Sequence, residues 1–230
     1  MNLLFIALII GIGIISWTVQ RSLKKKFKKY SEVGLKIGLS GKEVAELMLR
    51  DNGIDDVQVV SVQGRLTDHY NPMDKTVNLS PDVYAGRSVM AAAVAAHECG
   101  HAVQHATAYA PLKMRSTLVP LQALSGKILN ILFFVMIFGV GASFLPYEMA
   151  GILIVGVYSV FTLFAFITLP VEYDATKRAL AWVDQRNITQ GEEHDMATDA
   201  LNAAAKTYLV AALGSLAMLL FYAMSFLGND

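Results

Sequence analysis

The sequence predicts a mainly α-helical membrane protein, with four transmembrane helices and a small α+β domain. Its 230 residues are 54% hydrophobic and only 17% charged, and the mean hydropathy of +0.45 is well above that of a soluble domain. Four stretches are long and apolar enough to cross about 30 Å of hydrocarbon. The polar segment after the first stretch carries helix and strand patterns, which predict a folded domain.

The four predicted transmembrane segments differ in length, and the first two are near the minimum. The segments cover residues 2–19, 128–145, 149–169 and 208–227. Only Pro146-Tyr147-Glu148 separates the second segment from the third. We therefore expect the second and third helices to form a tight hairpin.

The first segment has the flanks of an uncleaved anchor. A signal peptide carries basic residues before its apolar core and a small-residue cleavage site after it. Here the basic residues follow the core, and no such cleavage site precedes them. They are Arg21, Lys24, Lys25, Lys26, Lys28 and Lys29. These cations are expected to face solvent or anionic lipid.

Lysine and arginine predict the orientation of the chain, because those close to transmembrane helices stay in the cytoplasm. Placing residues 21–127 and 170–207 inside puts all 19 of them inside. We therefore expect a multi-pass protein of the cell membrane with both termini outside. The formal net charge of zero favours no particular partner. We expect the lipid bilayer, and no nucleic acid, among the partners.

The polar segment 21–127 contains the signals of two strands followed by a long helix. Valine-rich residues 57–62 predict the first strand, and residues 75–79 predict the second. An alanine-rich helix follows over residues 88–110, closed by Pro111. The sequence therefore predicts a small domain in which two strands precede a long helix.

The long helix carries the segment His97-Glu98-Cys99-Gly100-His101. Two histidines four residues apart lie on one helix face, so both imidazoles can bind one tetrahedral Zn²⁺. Glu98 lies about 100° round the helix from His97, close enough to act as general base on a zinc-bound water. Cys99 points away and is expected to be buried, and Gly100 predicts close packing by a neighbouring element.

A catalytic zinc site usually has three protein ligands, and the best candidate for the third is Glu172. The further histidine of the metzincin pattern does not follow His101. Pro170 is expected to begin a helix where the third transmembrane segment ends, which would place Glu172 near the cytoplasmic membrane surface. Asp174 could pair with Arg178 or orient a ligand histidine, and the residues leave both roles open.

Four strings along the chain carry a resemblance to a known family. They are Asp68-His69-Tyr70-Asn71-Pro72, Val77-Asn78-Leu79-Ser80, Ala95-Ala96-His97-Glu98-Cys99-Gly100-His101-Ala102-Val103-Gln104 and Pro170-Val171-Glu172-Tyr173-Asp174-Ala175. Together they resemble the bacterial membrane neutral zinc metallopeptidases, the YugP-like group, over nearly the whole chain.

The resemblance implies a zinc-dependent endopeptidase of the gluzincin kind, with His97, His101 and Glu172 as the ligands of one Zn²⁺ per chain. It also implies that residues 21–127, completed by helices in residues 170–207, form a small α+β zincin-like metalloprotease domain, and the lysine and arginine distribution predicts that this domain is cytoplasmic. Many gluzincins have an aspartate four residues after the ligand glutamate. Here that position is Thr176, and the nearest aspartate is Asp174.

Substrate binding and oxyanion stabilisation have several candidates. Zincins commonly hold a peptide against an edge strand, and the predicted edge consists of Lys75, Thr76, Val77, Asn78 and Leu79. The candidate donors to the oxyanion are His69, Tyr70, Tyr84 and His105. Gln104 lies close to the ligand face of the helix and is a candidate partner of a ligand histidine.

The favoured hypothesis is an enzyme that cuts cytosolic or juxtamembrane segments of proteins, with Glu98 activating the attacking water. The alternative is a zinc-binding membrane scaffold or adaptor without turnover, which would not need Glu98. A transporter is disfavoured by the scarcity of ionisable residues in the predicted segments. His/His/Glu ligation favours zinc over Mn²⁺, Fe²⁺ or Co²⁺. The sequence leaves the oligomeric state open.

Overall fold

The computed structural model describes residues 3–137 and 146–227. Contacts between Cα atoms divide the chain into two compact units. The first, the apolar unit, comprises Met1–Ser16, Met114–Leu169 and Tyr208–Asp230, and the second, the polar unit, comprises Trp17–Lys113 and Pro170–Thr207. The last part of the second predicted transmembrane segment, residues 138–145, lies outside the described residues. The predicted turn at residues 146–148 is described, and a helix already begins there at Tyr147.

The described residues form helices at both ends of the chain and a small sheet between them. In chain order the elements are α1 (Leu3–Ser31), α2 (Gly41–Asp51), β1 (Gln58–Ser61), β2 (His69–Asn71), β3 (Thr76–Leu79), α3 (Pro81–Tyr84), α4 (Val89–Ala106), α5 (Ala110–Ile137), α6 (Tyr147–Gln185) and α7 (Glu192–Leu227).

Four of these helices, α1, α5, α6 and α7, are long and apolar enough to cross a membrane, as predicted. Each one extends well beyond its predicted segment. The helix α6 runs without a break through Pro170, so that residue does not begin a helix as expected. A proline inside a helix removes one backbone hydrogen bond, and a long membrane helix can tolerate that loss.

The helix that carries the motif ends earlier than predicted. It stops at Ala106, and the chain turns through Ala108, whose φ is +51°. Pro111 then lies in the first turn of α5, where the missing N–H is not needed. The proline therefore marks the beginning of the next helix and does not close the motif helix.

The three strands form one sheet in the order β1-β3-β2. The strand β1 pairs parallel with β3, and β2 pairs antiparallel with β3 in the register Tyr70↔Val77. The prediction that residues 75–79 form an edge was wrong, because β3 lies between the other two strands. The sequence analysis missed β2, which joins β3 through a turn in which Asn71 Oδ1 accepts a hydrogen bond from the Met73 N–H.

The core of the polar unit gathers around α4. Its alanines from Ala91 to Ala102 are almost completely buried, and α2 packs along one side of it. Cys99 is 0% exposed on that side, with its Sγ 3.5 Å from the Ala45 carbonyl oxygen. On another side, a Cβ at Gly100 would lie only 2.6 Å from the Ala175 carbonyl oxygen of α6. The absence of a side chain at Gly100 therefore lets α4 and α6 touch backbone to backbone.

Candidate metal centre

Two histidines of α4 point to a common position. His97 and His101 lie one helical turn apart, their ring centroids are 4.9 Å apart, and the ring planes are at 83° to each other. The side chain of Ser88 caps the helix by accepting a hydrogen bond from the Ala91 N–H. The rigid, capped helix therefore presents both rings in one place.

The helix α6 adds a carboxylate to this pair. Glu172 Oε2 lies 3.4 Å from His97 Nε2 and 3.6 Å from His101 Nε2. The three ligand atoms lie within 4.8 Å of one another, and Glu172 is 2% exposed. Because Gly100 has no side chain, α4 and α6 can approach each other closely at this residue. This close approach brings Glu172 within reach of the histidines.

The two ligand types influence each other's ionisation. Burial acts to raise the pKa of the Glu172 carboxyl, but the adjacent His101 and His97 rings outweigh burial and hold that pKa well below its usual range. Burial acts to lower the pKa of His101, and here the contact with Glu172 prevails, so the His101 pKa is raised. Glu172 is therefore ionised at neutral pH, as a metal ligand must be.

The buried side-chain amide of Gln104 contacts Nδ1 of His101. Gln104, which is 0% exposed, lies with its Oε1 3.0 Å from His101 Nδ1. Its Nε2 donates one hydrogen bond to the Val171 carbonyl at 2.7 Å and another to Asp174 Oδ2 at 2.8 Å. Gln104 therefore joins α4 to the turn of α6 that carries Glu172.

These contacts fix the proton on His101. The Val171 carbonyl and the Asp174 carboxylate only accept hydrogen bonds, so Gln104 must turn its NH₂ group toward them and its oxygen toward His101. An amide oxygen also only accepts, so Nδ1 of His101 must carry the hydrogen. Nε2 then directs its lone pair toward the position shared with His97 and Glu172 when the imidazole is neutral.

His97 has a simpler support. Its Nδ1 lies 3.2 Å from the hydroxyl oxygen of Thr176 on α6. Thr176 is the position at which many gluzincins have an aspartate, and the sequence analysis assigned it no contact. The i, i+4 spacing from Glu172 to Thr176 on one helix could have revealed it, because both residues lie on the same face of α6.

Asp174 has both of the contacts that the sequence left open. Its Oδ2 accepts a hydrogen bond from Arg178 Nε at 2.6 Å and one from Gln104 Nε2. Asp174 does not contact a histidine itself. Its link to His101 passes through the amide of Gln104.

Glu98 is nearly buried, at 8% exposed, beside the histidines. Its Oε2 accepts a hydrogen bond of 3.1 Å from the backbone N–H of Tyr70 on β2. Burying a carboxylate in an alanine-rich helix costs free energy unless a partner or a function compensates. The backbone of β2 supplies one partner and fixes the direction of the carboxylate.

The other candidate residues fall into two groups. The Tyr70 hydroxyl lies 2.8 Å from His105 Nδ1, so these two side chains form a pair next to Glu98. His69 is exposed, and its Nδ1 contacts the Thr67 carbonyl at 2.7 Å. Tyr84 packs against the hydrophobic core, with the Lys42 ammonium 5.6 Å from its ring centroid. The contacts of His69 and Tyr84 do not connect them to the histidine pair.

The donor set suits zinc. Two imidazole nitrogens and one carboxylate oxygen are a common ligand set of catalytic zinc, which keeps a fourth position open. Nδ1 of each histidine also has an oxygen partner, as in many zinc sites, but here the partners are an amide and a hydroxyl in place of a carboxylate or backbone carbonyl. Fold and site thus define the class: a membrane protein with four helices long enough to cross a bilayer and a group of two histidines and a glutamate that could hold a metal ion.

The comparisons with known proteins agree with this class. Residues 5–227 match the family described as "Putative neutral zinc metallopeptidase", and the chain belongs to that family. It is also similar to the "Putative membrane protease YugP" of Bacillus subtilis (strain 168), with 39% identity over 230 residues that cover 99% of both chains. No solved structure matches significantly.

Proposed function

We propose that this chain is a membrane-bound zinc endopeptidase that cuts cytosolic or juxtamembrane segments of proteins, with one Zn²⁺ per chain. The observation that carries the proposal is the convergence of His97, His101 and Glu172 beside the buried carboxylate of Glu98. Metal binding alone does not need Glu98, whereas hydrolysis needs a base in that position.

His97, His101 and Glu172 would hold the ion, which supplies a Lewis acid that activates water and polarises the scissile carbonyl. The Tyr70 N–H engages Oε2 of Glu98, which leaves Oε1 to accept the proton of the attacking water. The same carboxyl can then donate that proton to the leaving amine. Gln104 and Thr176 would keep the Nε2 atoms of the two histidines directed at the ion.

The Tyr70–His105 pair is the best candidate for stabilising the oxyanion. Tyr70 is fixed to Glu98 through its backbone and to His105 through its hydroxyl, so the pair lies beside the base. A hydroxyl or imidazolium donor at this position would compensate the charge that develops on the carbonyl oxygen. His69 and Tyr84 lack such contacts with Glu98.

Substrate docking is proposed at β2 instead of the β3 residues that the sequence suggested. In the described sheet β2 is an outer strand, and its Tyr70 N–H turns away from β3 toward Glu98. A peptide that pairs with this edge would lie next to the base. For the orientation of the protein we keep the proposal that the polar unit is cytoplasmic, which the distribution of lysine and arginine supports.

Elemental analysis and a peptidase assay on three proteins test the proposal. We expect about one zinc per chain and measurable cleavage of a peptide library in the wild type. Glu172→Ala should lose the zinc. Glu98→Gln can still accept the Tyr70 hydrogen bond, so it should keep the zinc and lose about 10²–10⁴-fold in rate.

Each other outcome has a definite meaning. Zinc retained by Glu172→Ala would refute the ligand assignment. Cleavage by Glu98→Gln at the wild-type rate would refute the mechanism. A wild type that binds zinc and cuts nothing in the library would favour the scaffold without turnover.

A further inference from the structure

The end of α1 that belongs to the polar unit has two chemically different faces. One face is turned into the protein: Tyr30 is buried, Phe27 is partly buried, and both pack near Met90 of α4. On this face Lys26 forms an ion pair with Asp199 of α7, and the Tyr30 hydroxyl donates to the same carboxylate at 2.7 Å. This face therefore has partners for its charge and for its apolar side chains.

The other face carries five exposed cations. They are Arg21, Lys24, Lys25, Lys28 and Lys29. Their side chains line one hollow of about 550 Å³ on the surface of α1, with Glu32 at its far end. We call this set the cationic face. Within the described residues, none of the five forms a salt bridge with an acidic side chain, in contrast to Lys26.

The position of the cationic face along α1 indicates what it meets. The preceding turns are apolar and exposed, and Trp17 is 61% exposed with the Arg21 guanidinium 5.1 Å above its ring. Tryptophan is enriched where a membrane helix passes the interface with water. The five cations follow over roughly 12 Å of helix axis. Headgroups occupy roughly 5–8 Å on each side of a bilayer, and long cationic side chains bridge such differences.

We propose that the cationic face is a binding surface for anionic phospholipid headgroups. The phosphate of a lipid such as phosphatidylglycerol would supply a counter-charge to these five cations, which form no salt bridge with the carboxylates of the described residues, Glu32 included. Because the opposite face of the same helix packs against α4, bound lipid would hold the motif helix at the membrane surface. The proposal is independent of peptidase activity.

Lipid retention measured by native mass spectrometry tests this proposal. The detergent-solubilised full chain is mixed with equal amounts of phosphatidylglycerol and phosphatidylcholine, and the ratio of the two bound lipids is determined. The test variant is Lys24→Gln/Lys25→Gln/Lys28→Gln. Its matched control removes the same charge elsewhere in the polar unit: Lys36→Gln/Lys42→Gln/Arg50→Gln.

We expect the wild type and the control to prefer phosphatidylglycerol, and the test variant to lose about fivefold or more of that preference, since each lysine near an anionic surface contributes about that factor. Equal thermal midpoints in zwitterionic detergent would establish that the test variant is folded. An unchanged preference in the folded test variant, or an equal loss in the control, would overturn the proposal. Displacement of the lipid by inorganic phosphate, but not by chloride of equal ionic strength, would overturn the lipid assignment in favour of a soluble anion.

Discussion

The two histidines of the motif differ in the group that contacts Nδ1 of each ring. His101 is backed by the buried amide of Gln104, which in turn binds Asp174 and the Val171 carbonyl of α6. His97 is backed by the hydroxyl of Thr176. An amide with two fixed acceptors has one orientation, whereas a hydroxyl rotates and can donate or accept.

This difference indicates that the contacts of His101 position the site more strongly than the contact of His97 does. The His101 side determines which ring nitrogen carries the proton and ties α4 to α6, so it positions Glu172 as well. The His97 side is adjustable and lies closer to Glu98 along the helix. We infer that the His101 side supplies rigidity and that the His97 side can accommodate the changes of the reaction.

The largest effect is expected for Gly100→Ala, because this change disturbs both sides at once. The new Cβ would meet the Ala175 carbonyl oxygen at 2.6 Å, so α4 and α6 would have to separate. We expect the zinc affinity, measured by chelator competition, to fall by more than the about 10–100-fold typical of losing one outer partner. The control is Gly126→Ala, where a Cβ meets no atom within 4 Å. A wild-type affinity in Gly100→Ala would mean that the helix contact does not position Glu172.

Gln104→Leu should have the next largest effect, because it removes the support of His101 and the link to α6 together. We expect the zinc affinity to fall about 10–100-fold. In the wild type, nitrogen correlation spectra of ¹⁵N-histidine-labelled protein should find His101 protonated at Nδ1. An unchanged zinc affinity in Gln104→Leu would contradict the inference that the contacts of His101 position the site.

A smaller loss is predicted for Thr176→Val, about tenfold at most, since it deletes a single hydroxyl with little change in volume. Thr176→Ser keeps the hydroxyl and should bind zinc like the wild type. The same chelator competition measures both variants. If Thr176→Val lost more affinity than Gln104→Leu, the proposed order of the two sides would be reversed.

The smallest effect is expected at the far end of α6, where Asp51 of α2 accepts hydrogen bonds from Trp182, at 2.9 Å, and from Arg186. The Arg186 contact lowers the Asp51 pKa, so the carboxylate stabilises the fold above its unfolded pKa and loses this effect as the pH falls through the folded one. Asp51→Asn should therefore lower the thermal midpoint at pH 7 by roughly 2 °C, because solvent screens the exposed Arg186.

Differential scanning fluorimetry over a pH series measures this effect. The difference from the wild type should shrink as the pH approaches the acidic range, and the zinc affinity at pH 7 should not change. If the difference in thermal midpoint instead grew on acidification, the ionised Asp51 carboxylate would not stabilise the fold through its contact with Arg186.

The sequence predicted the parts of the molecule that depend on periodicity. Helical spacing placed His97, Glu98 and His101 on α4, and apolar runs predicted the four candidate membrane helices. Gly100 was correctly predicted as a point of close packing. These features could be predicted because each one depends on neighbours within a few residues along the chain.

Features that depend on distant partners could not be predicted in this way. The strand β2 has three residues without apolar alternation, and it forms because β3 is available to pair with it. The continuous course of α6 through Pro170 depends on the length of the helix on both sides. Helical spacing made Gln104 a candidate partner of a ligand histidine, and the same spacing could have indicated Thr176. Which atoms the two side chains contact depends on the packing of α4 on α6, which the local pattern does not give.

The burial of Cys99 has a practical consequence. It is the only cysteine among the 230 residues, it is 0% exposed, and burial raises its thiol pKa. The folded protein should therefore resist alkylating reagents, which attack thiolates, while a cysteine introduced on the surface should react selectively. Cys99 directly follows Glu98, so the rate at which Cys99 itself is alkylated would report how often the motif helix opens. This measurement needs no change to the natural sequence.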